Sequence, residues 1–144
     1  MEDRYLFKAK QKGNEEWITG QYVKGLDMYD KEVHLIFEPT TIFYSSGETD
    51  GWSEIDPSTI CQCTGLKDKN GKLIWENDIV AYWDTYSTES GYAEANCIGK
   101  VVWDAETISF QVTNRLSAES YEVLDECSVI GNKFDNPELL ESEE

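Results

Sequence analysis

The chain carries one histidine, four cysteines and many carboxylates, and these are the groups from which a catalytic or metal site would have to be built. His34 lies in the alternating run Val33-His34-Leu35-Ile36-Phe37, and any Ser-His-Asp or Cys-His mechanism would have to use it. A lone histidine in a strand pattern reads as a packing or surface residue. Cys61 and Cys63 form a Cys-x-Cys pair, with Cys97 and Cys127 far along the chain. Neither distant cysteine belongs to a Cys-x₂-Cys knuckle, so the four read as small buried hydrophobes on alternate strand positions rather than as a zinc site. Paired carboxylates such as Glu15-Glu16 and Asp125-Glu126 are expected by chance in a chain with 29 acidic residues. Gly65 and Gly71 flank a polar turn with no helix after it, which is not a phosphate-binding loop. The expectation is a non-enzyme with no catalytic, cofactor or metal residues.

Recognition chemistry has better candidates. Tyr82, Trp83, Tyr86, Tyr92 and Trp103 offer large contact area at small entropic cost. Trp83 and Trp103 are assigned to a core, and Tyr82, Tyr86 and Tyr92 to a candidate interaction surface. Tyr86 and Tyr92 fall in a polar stretch, residues 85–96, which reads as a long loop of the kind that is more often functional than structural.

The net charge of −17 is uneven. Residues 1–72 hold 13 acidic and 9 basic groups, net −4, while residues 73–144 hold 16 acidic and 3 basic, net −13. A field of that sign repels phosphates and anionic lipid and argues against nucleic-acid or membrane binding. Lys67, Lys69 and Lys72 are the one basic cluster, read as a solvated hairpin tip. No apolar run of 18 residues is present to span a membrane. The opening Met-Glu-Asp-Arg-Tyr-Leu-Phe-Lys lacks a signal-peptide core, so the expectation is a cytoplasmic protein with reduced thiols.

The elements that position these residues are short strands. Residues 4–10 and 17–23 form an opening hairpin across Lys12-Gly13-Asn14; residues 33–37 and 41–44 are two more strands around Glu38-Pro39-Thr40, where proline suits a turn or an edge. Residues 45–51 read as an exposed loop. Residues 59–64 and the segment from Leu73 flank a turn whose Asn70-Gly71 pair is the residue choice of a two-residue type I′ turn, followed by the strand Asp78-Ile79-Val80-Ala81-Tyr82-Trp83. Residues 97–103 and 108–112 make a second hairpin, and residues 121–124 and 127–130 two last strands. Asn136-Pro137 starts a short helix in the acidic tail. The fold class is mainly β: an N-terminal β-hairpin region over residues 1–56, then an SH3-like β-barrel over residues 57–144 with a short C-terminal helix.

The run from Glu54 to Val80, with Asp56-Pro57, Thr64-Gly65-Leu66-Lys67-Asp68-Lys69-Asn70-Gly71 and Trp75-Glu76-Asn77-Asp78-Ile79-Val80, resembles the YopX family of small phage and prophage proteins. Val129-Ile130-Gly131-Asn132 through Leu140 is similar to that family's closing motif, and Trp17 to Val23 to its opening hairpin. The chain departs from the pattern at Cys61 and Cys63, where Gly and Tyr are usual, and at Asn77, where Gly is usual; Asn tolerates left-handed backbone, so the last change is conservative. The resemblance implies a phage-linked cytoplasmic protein with no established activity and no catalytic residues to carry over. Gly65, Asn70, Gly71 and Asp78 read as a structural turn motif. Three functions follow as expectations: a self-associating protein-interaction module with a host or phage partner, an acidic mimic of nucleic acid, and an SH3-like nucleic-acid-binding domain.

Overall fold

In the computed structural model residues 5–113 and 126–141 are described, and their regular structure is almost wholly antiparallel strand. The chain divides into two compact units, Met1–Cys63 and Thr64–Glu144.

The first unit contains β1 (Phe7–Lys10), β2 (Trp17–Leu26), β3 (Glu32–Phe43) and β4 (Thr49–Glu54), and the first residues of β5 (Cys61–Lys67). The strand order is β4-β3-β2-β1-β5. Its core is Ala9, Ile18, Ile36 and Ile55, with Phe7, Tyr22 and Ile60 packed against it. The period-2 alternation selects these residues: Ala9 faces Ile18 across the ladder, and Ile36 faces Tyr22, so one face of the sheet is apolar and closed. Asp56 caps a single 3-10 turn, Pro57–Thr59, by accepting from the Ser58 N–H at 3.0 Å.

Two expectations change here. Residues 33–37 and 41–44 are one strand rather than two, and Pro39 sits where β3 loses its regular ladder to β4, between Phe37 and Ile42. Proline has no N–H to donate, and the Thr41 hydroxyl bonding the Glu38 carbonyl at 2.6 Å holds the irregular segment in place. Beyond the tight turn at Tyr44 to Gly47, part of the expected loop is β4, paired through Phe43↔Thr49 and Ile42↔Asp50.

The second unit holds the rest of β5, β6 (Leu73–Trp75), β7 (Asp78–Thr88), β8 (Gly91–Asp104), β9 (Ser109–Val112), β10 (Ser128–Asn132) and α1 (Glu138–Glu141). β6 pairs with β5, and a four-stranded sheet runs β10-β7-β8-β9. Ile74, Val80, Tyr82, Val101, Val112 and Cys127 make its core. Among the described residues this sheet stays open, so the SH3-like closed barrel is not what these strands form. The strand expected at residues 121–124 lies outside the described residues. β5 runs across the division, and its Cys61 and Gln62 pair with β1 of the first unit.

The helix after Asn136-Pro137 is present as a single turn. The Asn136 Oδ1 accepts from the Asn132 N–H at 3.2 Å. No helix among the described residues is long and apolar enough to cross a membrane.

Candidate functional site

Four places bring chemistry-bearing residues together. The first is the central hairpin between β5 and β6. The Gly71 N–H donates to the Asp68 carbonyl at 3.0 Å and the Asp68 N–H to the Lys72 carbonyl at 2.8 Å. Gly71 has φ +83° while Asn70 is not left-handed, so the loop is a type I turn closed by a glycine bulge, not the expected type I′ turn. The reason is the Asp68 carboxylate. Its Oδ1 accepts from the Asn70 and Lys72 N–H groups, each at 2.9 Å, and its Oδ2 from the N–H of Val129 at 2.9 Å. That arrangement favours right-handed backbone at the two residues after Asp68 and fastens the hairpin to β10. Burial to 6% exposure by itself raises the Asp68 carboxyl, but the N–H donors of Val129, Lys72 and Asn70, with the Lys72 charge, outweigh it and hold the group below the ordinary carboxylate range.

The following turn is built the same way. The buried Asp78 Oδ2 accepts from the Trp75 N–H at 2.8 Å. Asn77 stands at φ 71°, the left-handed geometry that its family-typical glycine would meet. Its N–H reaches Val101 O at 2.8 Å and its carbonyl accepts from Lys133 N at 3.0 Å. Gly65 is also left-handed, at φ +81°, inside β5. Next to it the Thr64 hydroxyl donates to Ile74 O at 2.7 Å and accepts from Leu66 N at 3.1 Å. Of the motif residues, Asn70 and Gly71 lie in a turn, Asp78 bonds across the next one and Gly65 is a left-handed position within β5, while Asp68, which the spacing alone did not single out, organises the turn of Asn70 and Gly71. The Asp-x-Asn-Gly pattern could have announced its local bonds; the one to Val129, 61 positions away, could not be read.

The second place surrounds His34. Its Nδ1 lies 2.5 Å from the Tyr22 hydroxyl and its Nε2 3.0 Å from Glu32 Oε2. Lys24 bonds the other Glu32 oxygen at 3.1 Å. The bond from Lys24, then that from His34, lowers the Glu32 carboxyl. With Nε2 protonated toward the carboxylate, Nδ1 is left to accept the tyrosine proton. Both ring nitrogens are thereby engaged by neighbouring side chains.

The third place is a β-ribbon. Residues 85–96 are not a loop: β7 and β8 continue pairing out to Thr88↔Gly91, around a turn at Glu89-Ser90. β10 covers β7 only at residues 78–81 and β9 covers β8 only at residues 101–104, so the far part of the hairpin is two strands wide among the described residues. Trp83 is 67% exposed on this ribbon and Tyr92 84% exposed near its tip. The assignments of Trp83 to the core and Tyr82 to the surface are both reversed. Tyr82 is 2% exposed and donates its hydroxyl to Thr113 O at 3.1 Å, because it and Val80 lie on the face of β7 that meets Cys97 and Gly99 in the core, whereas on the opposite face Ile79 is buried and Trp83 is exposed. Tyr86 lies in β7, with its side chain outside those described. Trp103 is half-exposed and meets Phe110 edge-on at 5.1 Å between ring centroids.

The fourth place is the outer face of the first unit. The ladder aligns Gln21, Phe37 and Trp52 in one row and Val23, Leu35 and Glu54 in the next, on the face opposite Ile36. Val23 and Trp52 remain 44% and 45% exposed. A groove of about 490 Å³ is lined by Gln21, Val23, Phe37, Glu38, Pro39 and Thr41. The cysteines are not joined in disulfides; Cys61, Cys63 and Cys127 are buried and Cys97 is half-buried.

These features define a small antiparallel β protein whose turn motifs are structural and whose apolar residues are partly left at the surface. The family described as YopX protein matches residues 6–141, and the chain belongs to it. It is similar to protein EF1440 from Enterococcus faecalis, known from a crystal structure, with a TM-score of 0.57 and 25% sequence identity over 93% of this chain and 96% of that chain. Among curated proteins, none matches.

Proposed function

We propose that this protein is a phage- or prophage-encoded accessory protein of the bacterial cytoplasm that acts as a non-enzymatic protein-interaction module and self-associates. The observation that carries the reading is the β7–β8 ribbon. A two-stranded ribbon is marginal in water on its own, and one that also presents Trp83 and Tyr92 to solvent gains most from burial against another protein surface.

Light scattering across a dilution series tests self-association. The wild-type chain is expected to exceed one chain mass at about 100 μM, a concentration that populates contacts of modest affinity. Trp83→Ser with Tyr92→Ser is expected to return it to a monomer with an unchanged melting temperature. A wild-type chain that stays monomeric throughout, or a double variant that associates as before, overturns the self-association reading.

A further inference from the structure

We infer that the groove on the outer face of the first unit is a docking site for an extended peptide segment that alternates basic and apolar side chains. The inference rests on reading the protein as an interaction module, but it uses a different unit and surface from the ribbon.

Charge and shape together name the occupant. Residues 32–66 contain no lysine or arginine, yet hold Glu32, Glu38, Glu48, Asp50, Glu54 and Asp56. Three of these acids are occupied: Glu32 by Lys24 and His34, Glu54 by Lys12 at 3.0 Å, and Asp56 by Ser58. Glu38, Glu48 and Asp50 have no cationic partner among the described residues. Glu38 lines the groove itself, and Asp50 sits opposite Ile42, one residue beyond the groove-lining Thr41. The apolar wall is Val23, Phe37 and Pro39. At about 490 Å³ the groove is of the size that holds ligands, roughly 300–1,000 Å³. The irregular segment around Pro39 forms one side, and it is held by the Thr41 hydroxyl, which donates to Glu38 O at 2.6 Å and has Gly51 O as a second acceptor at 3.1 Å. Gly51 permits this closeness, since a Cβ there would lie 2.8 Å from Thr41 Cα. The wall is therefore preformed, which lowers the cost of ordering on binding. An apolar side chain enters the groove while flanking lysines or arginines meet Glu38 and Asp50. An acidic segment would meet unpaired like charge, which excludes it and gives the site its selectivity.

Fluorescence anisotropy of a labelled Lys-Val-Lys-Phe-Lys-Val peptide tests this, against a Glu-Val-Glu-Phe-Glu-Val peptide and a Lys-Ser-Lys-Ser-Lys-Ser peptide of equal charge to the first. The basic-apolar peptide is expected to bind, weaken with added salt, and exceed the Lys-Ser peptide by about tenfold, with no binding of the acidic one. Glu38→Gln is expected to weaken binding about two- to fivefold, and Val23→Ser severalfold; both positions are exposed, so circular dichroism should show an unchanged fold. Trp83→Ser, on the other unit, should leave binding as it was.

Equal binding of the two lysine peptides would mean attraction to bulk charge only and overturns the inference. So does binding that ignores both Val23→Ser and Glu38→Gln, or no binding at all. A change of oligomeric mass in Val23→Ser would make the occupant a second copy of this chain, which also overturns it. Loss of peptide binding with ribbon-mediated association intact removes this inference and leaves the proposed function standing. Binding by a strictly monomeric chain does the reverse for the self-association reading.

Discussion

Replacing Asp68 by asparagine tests whether one buried carboxylate holds the central hairpin to β10. The carboxylate accepts three backbone N–H groups, from Asn70, Lys72 and Val129. Asparagine keeps the shape but has a single acceptor oxygen. In its better orientation the oxygen keeps Asn70 and Lys72, and the amide nitrogen then faces the Val129 N–H, donor against donor. Hydrogen bonds to a charged group contribute roughly 1.5–3 kcal/mol, so losing one and weakening two costs about 2–3 kcal/mol. That corresponds to a fall in melting temperature of about 10 °C or more for a unit of this size. The sign of the pH dependence follows from the depressed carboxyl. Its stabilisation is complete above the ordinary carboxylate range and is lost as pH falls through the lowered folded value. Thermal melts followed by circular dichroism should show a wide gap between wild type and Asp68→Asn at pH 7, narrowing below about pH 4 as the wild-type carboxylate protonates. Equal melting temperatures at pH 7, or a gap that stays constant into acid, would refute the reasoning.

Gly20→Ala should destabilise the first unit severely, because its Cβ would lie 2.1 Å from the Phe37 carbonyl oxygen; urea titration would show a loss of several kcal/mol. Asn77→Ala should cost about 1 kcal/mol through the left-handed φ of 71°, while Asn77→Gly should stay within about 0.5 kcal/mol of wild type in the same assay. Tyr22→Phe removes the hydroxyl that His34 Nδ1 meets and should cost about 1 kcal/mol, with the His34 ring resonances shifting in NMR spectra.

Where local rules decided the outcome, the fold was readable from residues. Ala9 and Ile18 follow the two-residue period that places them in a core, and Asn77 adopts the backbone its side chain tolerates. Sequence reasoning went astray where a long-range partner intervened. The polar composition of residues 85–96 reads as a loop, but cross-strand pairing from Trp83↔Asn96 to Thr88↔Gly91 makes strand of it. The run from Ile79 to Trp83 is apolar on both faces, so the inward side could not be chosen until Cys97, Gly99 and Val101 were known to lie opposite or beside it. Pro39 suggested a turn because nothing local revealed that β3 passes straight by Gly20 and on to β4. The groove was hidden for the same reason: Gln21, Val23 and Thr41 belong to strands whose neighbours only the ladder defines. Its charge, by contrast, was visible all along as a stretch without a single lysine or arginine.

β5 contributes pairs to both units, Phe7↔Gln62 and Lys8↔Cys61 on one side and the hairpin with β6 on the other. The two halves therefore cannot be exchanged as cassettes. A recombinant cut at residue 56 would deprive β1 of its outer neighbour and leave an N-terminal fragment with a sticky flank, and a cut after Lys67 would do the complementary damage downstream. Genetic shuffling among relatives should then yield aggregating chains from joins inside Cys61–Lys67.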